Sequence, residues 1–400
     1  MSVTENSVTE SNVAESLREG AVIPAASRAE RFTSYDVEAF EVPGGREENW
    51  RFTPMKRLRG LHDGTAVASG EIKLETDAAP ELKIETVGRE DARLGEAGVP
   101  SDRIAAQAYS SFTSATVVTV PKETAASKPS VLRIHGPGEG EVAYGHLQVR
   151  AEPFAEAVIV LDHVGSGTYA DNVEFVIGDG AKVTVVSVQD WADDAVHVSE
   201  QHLKLGRDAN LRHTVITLGG DLVRVSPTAT FADKGGDVEM LGVYFADKGQ
   251  HQEHRLFVDH AVPNCKSRVM YKGALQGSAG EGPDAHTVWI GDVLIRAAAE
   301  ATDTYELNRN LVLTPGARAD SVPNLEIETG QIEGAGHASA TGRFDDEQLF
   351  YLQSRGIAEE AARRLVVRGF FHEILVKIDV PEVRERLEAA IEAELEAVGA

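Results

Sequence analysis

The sequence predicts a mainly β protein: a parallel β-helix (solenoid) core flanked by an N-terminal mixed/helical region and a C-terminal helical region. Three observations carry that prediction. Across residues 130–340, short Val/Ile/Leu-rich runs at 173–177, 183–188, 211–218 and 324–327 alternate with Gly, Asp, Asn and Pro, and none keeps a 3.6-residue apolar period. A strand–turn–strand unit also repeats. Gly178, Ala181 and Val183 in FVIGDGAKVTV match Gly206, Ala209 and Leu211 in LKLGRDANLRH, each 28 residues on, and a weaker copy puts Val238 27 residues beyond Leu211. The run LVLTPGARA at 311–319 echoes the same pattern. Third, sustained helical periodicity takes over behind this stretch. A β-sandwich also offers short strands with regular turns, but its strands need not repeat a turn-plus-alanine unit in register, whereas stacked rungs do.

Taken in order, residues 1–25 are rich in Ser, Thr and Glu and predict a flexible N-terminal arm. Residues 26–129 read as a mixed/helical region: Pro54 interrupts EENWRFTPMKRLRG, and 89–108 predicts a short helix. Residues 130–340 form the β-helix core. Residues 341–400 form the helical end, where Ala362, Leu365, Val366, Gly369, Phe370, Ile374 and Leu375 share one face. Pro381 then sits at the first position of a second amphipathic helix carrying Val383, Leu387 and Ile391. Such helices would cap the solenoid's open end or present a docking face.

Composition narrows the function. A net charge of −25 argues against a nucleic-acid or anionic-membrane grip, because like charge repels at long range. Cys265 is the single cysteine, which excludes a disulfide framework and any self-contained multi-thiolate metal or Fe–S site. The first residues lack a basic region followed by an apolar one, so a cytoplasmic protein is expected. No P-loop, G-x-S-x-G elbow or H-E-x-x-H helix occurs. His251, His254 and His260, beside Glu253 and Asp259, offer imidazoles for a metal. Along a strand, however, positions i and i+3 point to opposite faces, which favours ordinary surface or corner histidines. Cys265 reads as a small buried hydrophobe rather than a reactive thiol. Asp233 and Asp237, flanking a turn, are the carboxylates a polysaccharide-active β-helix enzyme would offer, but turn aspartates ordinarily bond to local backbone. A homodimeric structural protein without chemistry is the other alternative. At 334–342, GAGHASATG frames His337 with small residues that permit close backbone approach, so His337 is the candidate site residue.

The stretch from Tyr305 to Ile357 closely resembles the SufB/SufD family of the Suf iron–sulfur cluster assembly system. The matching pieces are Asn308-Arg-Asn-Leu, Pro323-Asn-Leu-Glu-Ile, His337, and Asp346-Glu-Gln-Leu-Phe-Tyr-Leu-Gln-Ser-Arg-Gly-Ile. Glu48-Asn-Trp-Arg-Phe-Thr and Ser267-Arg-Val-Met-Tyr-Lys-Gly-Ala-Leu match two more family patterns, so the resemblance spans roughly residues 50–371. It is closer to the SufD branch. The segment 299–308 lacks the cysteine of SufB-like members, His337 is followed by Ala338 rather than Glu, and Ala335-Gly336 stands where many members have Cys-Ser. The resemblance implies a right-handed parallel β-helix and a non-catalytic scaffold subunit of a SufB–SufC–SufD complex. It implies that His337 is a ligand for iron or a transient iron–sulfur cluster shared with SufB across the β-helix interface. It further implies that the C-terminal helices dock the SufC ATPase, which supplies the nucleotide site. For the isolated chain the sequence leaves a homodimer open.

Overall fold

The computed structural model describes residues 31–397 apart from 248, 279, 281, 345 and 379, so the arm expected over 1–25 lies outside the described residues. The first elements are β1 (Lys73–Asp77), β2 (Lys83–Val87), helix α1 (Arg103–Ser111), β3 (Ala115–Val120) and β4 (Ser130–His135). The strands β5 (Val142–Ala151), β6 (Glu156–Gly165), β7 (Thr168–Ile177), β8 (Lys182–Trp191), β9 (Val196–Leu205), β10 (Asn210–Thr217) and β11 (Leu222–Phe231) follow. They continue as β12 (Asp237–Ala246), β13 (His251–His260), β14 (Lys266–Leu275), β15 (His286–Ile295), β16 (Asp303–Val312), β17 (Arg318–Ile327) and β18 (Gly334–Arg343). Helices α2 (Asp346–Ser354), α3 (Glu359–Leu375) and α4 (Pro381–Ala397) end the chain.

From β3 onward each strand pairs in parallel with the strand two places later, giving two nine-stranded sheets and a β-solenoid of about 8 turns. Antiparallel β1 and β2 close the first rung by pairing with β4 and β3. At the other end β17 and β18 each pair on one side only.

The repeat legible in the sequence is the register of the ladder. Val183 pairs with Leu211 and Leu211 with Val238. The corner between the two sheets explains the rest of the motif. Its left-handed position is filled by Phe154, Gly180, Asp208, Gly235, Asn264 and Ala301, all with φ between 53° and 81°. Gly178, two residues earlier, has another reason to be glycine: a Cβ there would lie 2.8 Å from the Ala151 carbonyl oxygen of the rung below. Ala155, Ala181 and Ala209 stack beside it, fully buried. The echo at 311–319 belongs to the opposite corner, joining β16 to β17, and is no further copy of this turn.

Alternation along each strand sends one set of side chains into the lumen and the other outward. The lumen is largely aliphatic and aromatic, with Leu161, Phe175, Leu203, Val215, Met240, Val258 and Trp289 in one continuous cluster. Both outer faces are covered. On the β5–β15 sheet the N-terminal region lays Trp50, Leu58, Leu61, Ile104 and Ala108 over Tyr144, Ala170, Val196 and Leu222. Helix α1 is shorter than the helix expected over 89–108. It starts after Pro100, where Asp102 accepts a hydrogen bond from the Ala105 amide at 2.9 Å and caps it.

On the other sheet α3 and α4 pack Val367, Phe371, Ile374, Leu387 and Ile391 onto Val186, Ile216, Leu241, Val243 and Phe245. They therefore cover a flank of the solenoid and do not plug its open end. The buried stripe of α3 differs from the expected one: Val367 and Phe371 are buried, while Leu365 is 48% exposed. Pairs of adjacent apolar residues, Val366–Val367 and Phe370–Phe371, make both faces apolar enough, and the shape of the sheet decides between them. Charge pairs fix the helices in place. Arg386 donates to Asp162 at 2.7 Å and Asp190 at 3.0 Å, and Lys272 donates to Glu373 at 2.7 Å and to the Phe370 carbonyl at 2.9 Å. Burial pushes the Asp162 carboxyl upward, but Arg386 and Arg133 outweigh it and leave the group below its ordinary value.

Candidate functional site

β18 reads GAGHASATGR and has no bulky aliphatic residue to bury. It closes one sheet at the open rung, where residues 335, 337, 339 and 341 alternate on the side toward the lumen. His337 pairs in register with Glu306 of β16. Its side chain is 43% exposed, and its Nδ1 stands 3.6 Å from Oε1 of Glu306, whose own side chain is 1% exposed. An imidazole is thus presented at the rim with a carboxylate directly beneath it inside the tube. Gly291 on β15 makes room for that carboxylate, since a Cβ there would collide with Glu306 and Trp289. Tyr305, half-exposed, lies against Gly336, where an added Cβ would stand 3.1 Å from its ring.

A chain of hydrogen bonds runs inward from the same rim. Ser339 donates to Ser321 at 2.7 Å, Ser321 to the Asn308 side-chain oxygen at 2.7 Å, and the Asn308 amide to the Tyr244 hydroxyl at 2.9 Å. The Asn310 amide donates to Asn308 at 2.8 Å and Thr341 at 3.3 Å, and Tyr244 donates to Asn310. The buried members, Tyr244, Asn308 and Asn310, are bonded to one another, so the last rungs keep a polar lumen that opens through Ser321, Ser339 and Thr341 to the rim. Asn308 and Asn310 are the two asparagines of the Asn-Arg-Asn-Leu run. Glu306 and the serine pair were not legible in advance as site residues, although Glu306 stands only two positions before that run.

The other candidates fall apart spatially. His251 faces outward against Glu253 at 3.2 Å, whereas His254 faces the lumen, stacks on Tyr244 with ring centroids 5.0 Å apart and meets Thr217 at 3.0 Å. His260, also inward, bonds to Ser267 at 2.9 Å. The three imidazoles do not converge. Burial pushes His254 down to about 3 and His260 down to about 4, so both are neutral packing groups rather than the surface or corner histidines that the segment suggests. Cys265 is fully buried in the lumen cluster, and burial pushes its thiol up, away from thiolate reactivity. Asp233 is tied to Arg207 at 2.7 Å on the surface. Among the described residues no helix is long and apolar enough to cross a membrane.

The family model described as SUF system FeS cluster assembly, SufBD core domain, matches residues 133–370. An iron–sulfur cluster assembly SufBD family protein of Mycobacterium bovis is 66% identical over 373 residues, covering 93% of this chain and 94% of the relative. A SufBD family protein of Mycobacterium leprae is 63% identical over 378 residues, covering 94% and 96%. The iron–sulfur cluster assembly protein SufD of Escherichia coli is 24% identical over 368 residues, covering 83% and 84%. The chain therefore belongs to the SufBD family, whose members take part in iron–sulfur cluster assembly.

Proposed function

We propose that the chain is the SufD-like scaffold subunit of a SufB–SufC–SufD complex, with the open rung formed by β17 and β18 as its face toward SufB. The observation that carries this reading is His337, held at the rim of an unpaired end rung on a strand of small residues, above the buried carboxylate of Glu306. Imidazole is a suitable nitrogen ligand for iron, and one partner thiolate from SufB would complete a mixed, exchangeable site for a cluster that is cargo rather than a resident group. A free strand edge also supplies unpaired backbone donors and acceptors for a second chain. The protein itself would carry out no covalent step; SufC would supply ATP hydrolysis.

The helical end suits the second contact. Its buried stripe is used up by the solenoid, so the outward side carries the dock, where Phe350 is 72%, Tyr351 57% and Leu365 48% exposed. The chain would work in the cytoplasm with these two partners, and in their absence the same open rung would pair with its copy as a homodimer. Co-expression with SufB and SufC from the same source tests the assignment. One ternary species on gel filtration is expected, and three separate peaks would end the scaffold reading.

A further inference from the structure

Near the other end of the tube the lumen changes character. Among aliphatic rungs, His163 on β6, Ser187 and Gln189 on β8, Asp171 on β7, and His197 and Ser199 on β9 all face inward, each no more than 2% exposed. Polar groups in such a place cost several kcal/mol unless matched, at about 1–3 kcal/mol per unmatched group. Their partners fix which atom carries which proton. Trp191 Nε1 can only donate, and it donates to Gln189 Oε1 at 2.8 Å, so that atom is the amide oxygen. His197 Nδ1, 2.7 Å from the same oxygen, must therefore be a donor as well. In the neutral ring this leaves the lone pair on His197 Nε2, which looks at Asp171 Oδ1 across 3.3 Å. Two acceptors then face each other with nothing between them.

His163 poses the matching problem. Its Nδ1 lies 3.0 Å from the Val188 carbonyl oxygen and 3.2 Å from Gln189 Nε2. The carbonyl can only accept, while Gln189 Nε2 has Ser187 Oγ at 3.1 Å as an acceptor of its own, so the proton belongs on His163 Nδ1. His163 Nε2 then carries a lone pair, is buried, and has no hydrogen-bond partner among the described residues. A proton shared between His197 and Asp171 would settle the first conflict and leave the second. A cation settles both.

We propose that His163 Nε2, His197 Nε2 and an Asp171 carboxylate oxygen form a buried binding site for one divalent cation of the zinc and ferrous class inside the solenoid. Ligand atoms of the three residues lie within 4.8 Å of one another. Bonds of about 2.0–2.2 Å put tetrahedral ligand atoms about 3.4 Å apart, so separations of up to 4.8 Å close by at most about 1.4 Å. Two imidazoles with one carboxylate is a donor set for borderline first-row ions rather than for calcium or magnesium. The outer bonds have the form expected around a metal. His163 gives its second N–H to a backbone carbonyl and His197 gives its own to a side-chain amide oxygen, which holds each ring with its lone pair inward. Tyr169 stacks on His197 at 11° with centroids 5.1 Å apart and walls the site on that side. The site lies at least four strand spacings from β17 and β18, roughly 20 Å, and is separate from the rim that holds His337.

Cobalt(II) is the probe. The full chain is produced in cobalt-supplemented medium, so that metal can enter during folding, then desalted and analysed for metal content and visible d–d absorption. One tightly held equivalent is expected, displaced by zinc. His337→Ala should retain it, and His163→Gln should lower occupancy at least tenfold. Wild-type protein that is folded yet metal-free overturns the proposal whether or not the variant folds, and leaves a histidine–aspartate ion pair alone. One equivalent persisting in folded His163→Gln overturns it equally.

Discussion

His337→Ala is expected to leave the ternary complex assembled and to cut the cluster it holds by at least tenfold, read as iron per complex after anaerobic reconstitution. The expectation rests on the position of the residue. With its side chain 43% exposed the imidazole contributes little packing, so its loss should change stability by no more than about 1 kcal/mol. Removing an outer-shell partner of a metal commonly costs about 10–100-fold in affinity, and a direct ligand should cost no less. His337→Cys gives the complementary reading: a thiolate at the rim should restore part of the cluster if coordination is the role. Equal iron content in wild type and His337→Ala would make the residue an interface hydrogen-bonding group only.

The second large effect is on stability. Glu253→Ala should destabilise the protein by about 3–5 kcal/mol, because it leaves the buried Arg255 guanidinium without its carboxylate and Arg224 with Asp102 alone. Glu253 is fully buried on the outer face of β13. It meets Arg224 at 3.4 Å and Arg255 at 3.3 Å, and accepts a hydrogen bond from Thr53 at 2.8 Å. Burial pushes its carboxyl upward, but His251 and the two arginines outweigh it and hold the group well below its ordinary value. Arg224 in turn stacks on Trp50 at 3.8 Å and donates to the Asn49 carbonyl at 3.2 Å. Glu253 and Asp102, joined through Arg224, therefore help clamp the N-terminal region to the solenoid. A fall of roughly 4–6 °C in Tm is expected, with protease cleavage appearing in the region 31–112 before the rungs open. A Tm within 1 °C of wild type would mean that the network is solvated and structurally idle.

This clamp gives a physical reason for the Glu48-Asn-Trp-Arg-Phe-Thr run, three of whose residues reach the Arg224–Glu253 group. Ser267-Arg-Val-Met-Tyr-Lys-Gly-Ala-Leu has a similar explanation. Lys272 anchors α3, and Gly273 leaves the space that Tyr244 fills, since a Cβ there would collide with its ring. The ladder register was legible because the same corner recurs every rung, with buried Ala155, Ala181 and Ala209 beside it in successive turns, and Val183, Leu211 and Val238 inherit that spacing. The buried face of α3 was not, because neighbouring apolar pairs leave two helix faces equally plausible. The rim was legible at His337, framed by small residues. Glu306 was hidden because register across strands, 31 positions away, puts it beneath the histidine. The group of His163, Asp171 and His197 was invisible for the same reason: sequence spacing says nothing until rungs stack.

Gly342 offers the most direct test of the claim that the open rung faces SufB. It lies on β18, and a Cβ added there would meet nothing within 4 Å, so Gly342→Arg should fold with an unchanged Tm. In the assembled complex the same arginine would stand in the interface, against a strand edge that must come close. Binding of SufB to the variant, measured by titration calorimetry, should fall at least tenfold, while binding of SufC to the helical end stays the same. SufB affinity equal to wild type would contradict the account and place the interface elsewhere on the solenoid.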